Sequence, residues 1–329
     1  MPKILLLTKF RRPWNNGHYM AMALEEMGWE VDRMDTPGDL HLLKNRLKNY
    51  PSHDLALATK ADGMDLGMVQ DIKRRGIPFV IWYPDPIPPT DHMVRMGRES
   101  DMFFTMTQGR IEDYLKAGVP RVQWLTQAVH PDFFPLDPLS PMEEKYYGCD
   151  VGFIGNLGAL PQYIKRREML TRVVRAGFHL KWWGPRPSRK LKEIPFLISK
   201  VCRCYGGRFV YLDTFSKAAR GCKIFLSQDS FPEIRLSMSV KIYTAMCCGA
   251  FYMCRRVEGI DELFTPDKEL VVFDDYDEML DKIHYYIDKA DERKKIAERG
   301  RKKVLAEHTY HKRFDTMFKI LKKHRIITA

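Results

Sequence analysis

Two serines and a lysine open the segment whose residue types best suit the binding of an anion. Ser237 and Ser239 precede a run of helix-forming residues, and Lys241 falls in the first predicted turn. Serine is a favoured N-cap residue, and the free N–H groups at a helix start carry partial positive charge. The small residues that follow, up to Gly249, let the helix pack closely against a sheet. The pattern predicts an anion site at the helix start, although close packing alone would also explain the small residues.

Two other predicted strands end in residues that suit a phosphate. Gly155 and Asn156 follow "CDVGFI", where a missing Cβ lets backbone amides approach an anion. Arg186 follows "KWWGP", and its guanidinium could hold a phosphate through two hydrogen bonds. The alternatives are an ordinary turn at Gly155 and an exposed arginine in a basic loop.

A second group of polar candidates follows predicted strands nearer the N-terminus. The segment after the first strand places Asn15, Asn16, Gly17 and His18 in a loop. Histidine exchanges protons near neutral pH, so His18 is a candidate base, and its alternative role is to cap a helix. Asp85 stands between two prolines that stiffen its loop, which makes it the leading candidate to take a proton from a hydroxyl. The alternative is a turn aspartate that bonds its own backbone.

The formal charge of +12 is concentrated in one block of the chain. Residues 160–210 hold 13 Lys and Arg against 2 Asp and Glu, whereas residues 1–128 hold 17 against 16. Such an excess attracts a polyanion, which could be nucleic acid, an anionic membrane surface or a phosphorylated glycan. A solvated helix face is the ordinary explanation of a short charge run. The candidate polyanion patch consists of Lys165, Arg166, Arg167, Arg189, Lys190 and Lys192.

The elements that must position these residues alternate between strand and helix. Six apolar runs before residue 128 and five after residue 148 read as strands, separated by amphipathic segments. This alternation predicts parallel sheets covered by helices on both faces, in the α/β class, with ligands at the carboxyl ends of the strands. Between the two series, residues 128–148 contain four prolines and show no periodicity, which indicates a linker.

Composition limits the class of protein. The chain has 329 residues, 45% of them hydrophobic and 29% charged, as expected of two globular domains. The opening "MPKILLLTKF" has too short an apolar run for a signal peptide or a membrane span, so a cytoplasmic protein is expected. The seven cysteines lack paired metal-ligand spacing and are expected to be reduced, mostly buried thiols, with a metal at Cys202 and Cys204 as the alternative.

Several longer segments resemble one known family. They are "GIPFVIWYPDPIP", "DYLKAGVPRVQWLTQAVHPDFFP", "CDVGFIGNLG" and "AMCCGAFYMCRRVEGIDELFTPDKELVVFDDYDEML". These segments are similar to the group 1 type of GT-B-fold glycosyltransferases, and specifically to the spore-maturation CgeB-like branch. The resemblance implies two Rossmann-like doubly wound domains facing a cleft. It implies an acceptor-side domain over residues 1–128, a linker over 129–148, a nucleotide-sugar domain over 149–309, and a helix over 310–329 that packs back on the first domain.

The same resemblance implies a reaction and a donor site. A hexosyl or N-acetylhexosaminyl group would pass from a nucleotide-diphosphate sugar, with UDP-sugars as the first candidates, to a hydroxyl, without an obligatory metal or cofactor. No protein partner is inferred from the sequence. Related enzymes carry glutamates at the positions of Thr244 and Leu236. Ribose recognition would therefore be weakened here, or moved to neighbours such as Tyr243 or Arg235. The implied donor-binding residues are Gly155, Asn156, Arg186, Arg235, Ser237, Ser239, Lys241, Tyr243 and Thr244.

The acceptor is left open by the sequence. The basic block makes a hydroxymethylated base in DNA the leading hypothesis, ahead of a cell-surface or spore glycan or protein. The surplus charge lies in the presumed donor domain, which counts against DNA. The alternative from another class is a non-catalytic GT-B-fold protein that binds nucleic acid or an anionic membrane.

Overall fold

The chain divides into two compact units. The computed structural model describes residues 1–49, 52–185, 190–207 and 210–328, and within them every side chain except that of Lys192. Unit 1 comprises Met1–His130, Ile234–Ser239 and His308–Ala329, and unit 2 comprises Pro131–Glu233 and Val240–Glu307. In the part of the chain that is described, no helix is both long and apolar enough to cross a membrane.

The described residues form eleven strands, and each lies within a segment that the sequence predicts as a strand. The strands are β1 (Lys3–Thr8), β2 (Glu30–Asp35), β3 (Leu55–Thr59), β4 (Phe79–Tyr83), β5 (Met102–Thr105), β6 (Val122–Trp124), β7 (Cys149–Ile154), β8 (Leu180–Trp183), β9 (Cys222–Ser227), β10 (Tyr252–Arg255) and β11 (Val271–Phe273). Most are continuous apolar runs because helices cover both faces of a parallel sheet.

Helices separate most of the strands. They are α1 (Asn16–Glu26), α2 (Leu43–Asn49), α3 (Leu66–Lys73), α4 (Asp91–Glu99), α5 (Ile111–Lys116), α6 (Pro141–Tyr147), α7 (Pro161–Arg175), α8 (Ile194–Leu197), α9 (Lys200–Arg203), α10 (Leu212–Gly221), α11 (Val240–Cys247), α12 (Tyr276–Ile287), α13 (Ala290–Glu307) and α14 (Tyr310–Lys323). Short polar side chains start several of them; Thr309, for example, accepts a hydrogen bond from the N–H of Lys312.

The two sheets are parallel throughout, as the strand–helix alternation predicts. The strand order is β2-β1-β3-β4-β5-β6 in unit 1 and β11-β10-β9-β7-β8 in unit 2. In each sheet the first strand of the unit has neighbours on both sides, so the chain leaves it in one direction and later returns on the other. Such a switch point opens a crevice at the carboxyl ends of the two neighbouring strands. The crevices lie beyond β1 and β3 in unit 1 and beyond β7 and β9 in unit 2.

Helix α6 begins inside the segment predicted as a linker. Ser140 accepts from the N–H of Glu143, and the carboxylate of Glu143 accepts from the N–H of Ser140 at 2.9 Å. This capping box, with Pro141 at the first helical position, starts a helix where four prolines suggested irregular chain. Residues 129–148 are therefore not a structureless connection.

The C-terminal helix α14 packs within unit 1. The ring of Phe318 stacks on that of Trp29, with centroids 4.7 Å apart. The buried guanidinium of Arg313 donates from Nε to the carbonyls of Thr126 and Gln127, both at 3.1 Å. A guanidinium satisfied by backbone carbonyls fixes the helix against the chain that follows β6.

The cysteines match the expectation of unpaired thiols. All seven are free, and five of them are buried. Burial raises the pKa of the Cys247 thiol to about 11, so this thiol stays protonated at neutral pH.

Candidate functional site

The crevice of unit 2 is bordered by the residues that follow β7 and β9. Gly155 and Asn156 come directly after β7, and Gln228 and Asp229 come directly after β9. The N–H of Gly155 donates to the carbonyl of Trp183 at 2.8 Å, so the turn after β7 is tied to the end of β8. Gly155 and Asn156, which the sequence analysis selected as residues suited to a phosphate, therefore lie at the switch point, where ligands of such sheets bind.

The ammonium of Lys241 lies buried in this crevice. Lys241 is the second residue of α11, and its Nζ lies 5.3 Å from the centroid of the Phe153 ring. Within the described part of the chain, Nζ has no hydrogen-bond partner. The pKa of Lys241 is lowered to about 7, chiefly by burial and in addition by nearby Arg166, whereas Asp229 opposes the change. A buried, unpartnered cation is strongly favoured to bind an anion that enters the crevice.

Arg166 connects the two loops that border the crevice. It lies on α7 and is only 6% exposed. Its Nε donates to the carbonyl of Gln228 at 2.9 Å, its Nη1 to the carbonyl of Asn156 at 3.3 Å, and its Nη2 to Oγ of Ser230 at 3.1 Å. Burial lowers its pKa, and the charge of Asp229 raises it. Arg166 therefore holds the ends of β7 and β9 together and adds positive charge beneath the crevice.

This position excludes Arg166 from the exposed basic patch that the sequence predicts. Arg167 is half-buried as well: its Nε donates to the carbonyl of Leu157 at 2.6 Å, and its guanidinium pairs with Glu193. Lys165 and Lys190 are exposed. Arg186 and Arg189 lie outside the described residues, as does the side chain of Lys192. Charge counting overstated the exposed charge because one face of α7 turns inward to satisfy loop carbonyls.

Neither Thr244 nor Tyr243 presents a contact surface for a ribose in this conformation. Oγ1 of Thr244 donates to the carbonyl of Val240 at 3.0 Å, one turn back in the same helix. Tyr243 is fully buried, with its ring centroid 6.2 Å from that of Phe264. A ribose contact from the Thr244 hydroxyl, or from Tyr243 in its place, would require α11 to rearrange.

The segment just before α11 belongs to unit 1. Nε of Arg235 donates to Oε1 of Gln108 at 2.6 Å, and the N–H of Gly109 donates to the carbonyl of Arg235 at 3.0 Å. Leu236 has a φ of 50° and is 1% exposed, and Ser237 is likewise 1% exposed. Ser239 is the last residue of this segment. Nothing in the local sequence signals that Arg235 bonds a residue 127 positions away.

The crevice of unit 1 holds a cavity of about 230 Å³. It lies at the carboxyl ends of β1 and β3, and it combines two tryptophan faces with hydroxyl, amide and charged groups. Asn15 and Asn16, two of the residues predicted for the acceptor-side loop, line it. The lining residues are Thr8, Lys9, Trp14, Asn15, Asn16, Met20, Thr59, Lys60, Asp62, Trp82, Pro84, Gln127 and Tyr310.

The start of α1 differs from its prediction as a loop. The helix begins at Asn16, so Gly17 and His18 lie in its first turn. A Cβ on Gly17 would come within 2.5 Å of the carbonyl oxygen of Lys9, so only glycine allows this close approach. Nε2 of His18 lies 2.8 Å from the carbonyl oxygen of Phe10, and His18 is not among the residues that line the cavity. The structure thus favours the structural role for His18.

Asp85 lies beside the cavity in an ion pair. Its carboxylate is 2.5 Å from Nζ of Lys60 and is about one-third exposed. Pro84 and Lys60 line the cavity, whereas Asp85 does not. The turn interpretation of Asp85 is not what the structure shows, since its partner is a lysine on another loop. Asp85 keeps its candidacy as a base only if the acceptor hydroxyl reaches it past Lys60.

Sequence reasoning missed the loop after β3. Lys60 and Ala61 have positive φ angles of 63° and 50°, a conformation that costs energy in residues with a Cβ and that often marks functional sites. Asp62 lines the cavity and pairs with Lys9 at 3.1 Å. The sequence did offer a signal for Asp62, since it closely follows a buried strand. The carboxyl ends of neighbouring parallel strands meet at one edge of the sheet, where ligands bind.

The match to known proteins agrees with this architecture. A family model described as glycosyl transferase-like matches residues 165–319, a range that includes Arg166 and Lys241. A glycosyltransferase from Rickettsia africae has 12% sequence identity and a TM-score of 0.66, over 98% of this chain and 98% of that one. The fold is GT-B. No curated protein sequence matches the chain.

Two other solved GT-B structures cover the chain equally well. Anabaena HepE, solved with UDP and glucose, has a TM-score of 0.66 and 12% identity over 98% of this chain and 100% of that one. Sucrose-phosphate synthase from Thermosynechococcus elongatus has a TM-score of 0.64 and 12% identity over 98% of this chain and 99% of that one. At this identity the likeness establishes the GT-B fold of two doubly wound α/β sheets, as predicted.

Proposed function

We propose that this GT-B protein is a glycosyltransferase that uses a nucleotide-diphosphate sugar, with UDP-sugars as the first candidates. The observation that carries the proposal is the buried ammonium of Lys241 at the switch point of unit 2. It lies within the residues matched by the glycosyl transferase-like family. Anabaena HepE, which has the same fold, was solved with UDP and glucose. We place the diphosphate of the donor against Lys241 and the N-terminal turn of α11.

The chemistry needs positive charge at this position. When the bond from the anomeric carbon to the diphosphate oxygen breaks, negative charge grows on the leaving diphosphate. A preorganised ammonium and free helix N–H groups stabilise that charge more in a buried crevice than they would in water. The absence of a side chain at Gly155 leaves space for the diphosphate beside the ammonium. A Cβ at this position would lie only 3.3 Å from Nζ of Lys241 and would occupy that space. Arg166 positions the two loops rather than contacting the donor.

The acceptor is proposed to be a saccharide bound in the cavity of unit 1. Sugars bind to aromatic faces flanked by hydrogen-bonding side chains, and this cavity offers Trp14 and Trp82 beside Asn15, Asn16 and Gln127. The acceptor hydroxyl must lose a proton as it attacks, and Asp62 at the cavity and Asp85 beside it are the candidate bases. Transfer to a sugar hydroxyl of a cell-surface or spore glycan, the alternative acceptor drawn from the sequence, therefore becomes the first hypothesis.

A hydroxymethylated DNA base becomes the second acceptor hypothesis. It rested on a basic surface, and Arg166 and Arg167 do not contribute free charges to that surface. Lys165 and Lys190 remain exposed, so the structure leaves part of the predicted patch in place. The non-catalytic binding protein remains the alternative from another class.

The deciding experiment is a mass-spectrometric transfer assay with UDP-, GDP- and TDP-sugars. Mono- and oligosaccharides serve as acceptors, and DNA with or without 5-hydroxymethylcytosine serves as the competing acceptor. We expect a hexose or N-acetylhexosamine to be added to a saccharide, with slow donor hydrolysis when no acceptor is present. Transfer to the modified base alone would replace the saccharide acceptor, and neither transfer nor hydrolysis with any donor would contradict the proposed function.

Asn15→Ala tests the acceptor cavity separately. Because Asn15 lines this cavity and not the donor crevice, the variant should raise the acceptor KM without changing the rate of donor hydrolysis.

Donor binding is expected to weaken as the pH rises above about 7. The free protein holds Lys241 with a pKa of about 7, whereas a bound diphosphate favours the charged form and raises that pKa. Below pH 7 the lysine is already protonated and affinity is constant. Above it, binding must take up a proton, and the Kd for UDP-glucose should increase by up to about tenfold per pH unit.

Isothermal titration calorimetry from pH 6 to pH 9 measures this dependence, and buffers of different ionisation enthalpy count the protons taken up. UDP-glucose suits the test because its diphosphate diester does not titrate in this range. A Kd that stays constant across the range would show that Lys241 does not face the diphosphate. Lys241→Met, which lacks the titrating ammonium, should show no measurable binding at any pH in this range.

A further inference from the structure

We propose that Glu26, His130 and His311 form a binding site for a divalent metal ion, with Zn²⁺ as the preferred ion, at the junction of α1 and α14 within unit 1. Nε2 of His311 lies 2.6 Å from Oε2 of Glu26, and Nε2 of His130 lies 3.2 Å from the same oxygen. The three potential ligand atoms lie within 4.8 Å of one another. Two imidazoles and a carboxylate are a ligand set that suits Zn²⁺.

The backbone fixes the two histidines next to each other. The N–H of Val129 donates to the carbonyl of His308 at 3.1 Å, and the N–H of Tyr310 donates to the carbonyl of Val129 at 3.1 Å. In this short parallel bridge, His130 directly follows Val129 on one segment, and His311 directly follows Tyr310 on the other. Glu26 is the last residue of α1, so three separate elements converge on the site. The convergence is therefore built into the fold and does not depend on flexible side chains alone.

The three side chains of the site differ in their exposure to solvent. The side chain of His130 is 2% exposed, whereas those of His311 and Glu26 are 33% and 40% exposed. One ligand is anchored in the protein, and the other two face solvent. That arrangement leaves room for a water molecule as the fourth ligand of a tetrahedral ion, and it provides a path for the ion to enter.

The distances between the ligand atoms are close to those of a bound site. Ligand atoms about 2.0–2.2 Å from a tetrahedral ion lie roughly 3.3–3.6 Å from one another. The separation of Nε2 of His130 from Oε2 of Glu26, 3.2 Å, lies just below this range. The separation of His311 from Glu26 is shorter, and a small rotation of the partly exposed carboxylate would increase it. The imidazole rings, with centroids 5.4 Å apart, need no change of backbone.

The site is separate from the proposed chemistry of transfer. None of its three residues is among those that line the cavity of unit 1. The ion would join residues that lie 285 positions apart in the chain, so it would fasten α14 to α1. A ligand that binds only the folded form raises its stability by mass action. The expected role is therefore structural.

The test measures Zn²⁺ binding to chelator-treated protein by isothermal titration calorimetry and by thermal unfolding. We expect one Zn²⁺ per chain and a higher Tm with Zn²⁺. Glu26→Gln and His311→Gln should each weaken Zn²⁺ binding by at least about 100-fold. X-ray absorption spectroscopy of the Zn²⁺ form should show two imidazoles at about 2.0–2.1 Å.

Two control variants separate this site from other metal ligands. His324→Gln removes an exposed histidine at the other end of α14, and the pair Cys202→Ser with Cys204→Ser removes the two partly exposed thiols; both should bind Zn²⁺ as the wild type does. Circular dichroism confirms that each variant is folded. Absence of stoichiometric binding, or wild-type affinity in His311→Gln, would overturn the metal site and leave a hydrogen-bonded cluster.

Discussion

Lys241→Met is expected to abolish measurable binding of UDP-glucose while raising thermal stability. The ammonium is buried without a hydrogen-bond partner among the described residues, so the folded protein bears the cost of removing it from water. Methionine has a similar length and no charge. Because one pKa unit corresponds to about 1.4 kcal/mol, the lowered pKa of Lys241 indicates a gain on the order of a few kcal/mol. Calorimetric titration and thermal unfolding measure the two effects.

The pH dependence of the stability gain is a further check on the same variant. The pKa of Lys241 is about 7 in the folded protein and 10.5 ordinarily. Below pH 7 the wild type must bury a charged lysine, so the gain in Lys241→Met is complete there. Between pH 7 and 10.5 the unfolded state binds more protons than the folded state, so wild-type stability rises and the gain disappears.

Lys295→Met supplies the matched control for this prediction. Lys295 is an exposed residue of α13 in the same unit, and its replacement should change neither affinity nor Tm appreciably. If Lys241→Met bound UDP-glucose like the wild type, the diphosphate would not lie at α11. If the variant lost thermal stability as well as affinity, Lys241 would stabilise the fold through a contact that is not among those described here.

Gly184→Ala is expected to destabilise unit 2 by at least about 2 kcal/mol and to weaken donor binding. A Cβ on Gly184 would lie 2.0 Å from the carbonyl oxygen of Gly155 and 2.9 Å from its carbonyl carbon. Both are backbone atoms, and the hydrogen bond from the Gly155 N–H to the carbonyl of Trp183 holds them in place. Relief of the clash must move the turn after β7, which borders Lys241.

Denaturant unfolding and titration with UDP-glucose measure the two effects of Gly184→Ala. Gly67→Ala is the control, since this residue lies in α3 and the nearest atom to its added Cβ is the exposed carboxylate of Asp65 at 3.2 Å. Alanine favours the helix there, so stability should change by less than about 1 kcal/mol. Unchanged stability in Gly184→Ala would mean that the ends of β7 and β8 are not packed as described.

The local pattern of the sequence determined the elements of this protein. Most strands are short apolar runs bounded by turn residues, because burial on both faces of a parallel sheet requires such runs; the edge strand β2 is an exception. The positions of Gly155, Asn156, Asn15 and Asn16 after strands follow from the same pattern, because ligands bind at the carboxyl ends of parallel strands. These features depend on residues close together in the chain.

Only the tertiary structure decided which charged groups lie inside. Arg166 and Lys165 are neighbours in a basic run, yet Arg166 is buried against loop carbonyls while Lys165 is exposed. The sequence placed Lys241 in the first turn of a helix, and the structure adds that its ammonium is buried near Arg166 and Asp229. Charge counts cannot distinguish these cases because burial is set by residues far away in the chain.

The same reason explains what sequence reasoning missed entirely. Arg235 lies in unit 1 through its bond to Gln108, and Glu26 meets His311 from the opposite end of the chain. Each partner has an unremarkable local sequence. Such contacts exist only after the strand order is set and the helices have packed, so their information is distributed over the whole chain. The sequence thus determined the strands and the edges where ligands bind, and packing between distant segments decided which side chains meet there.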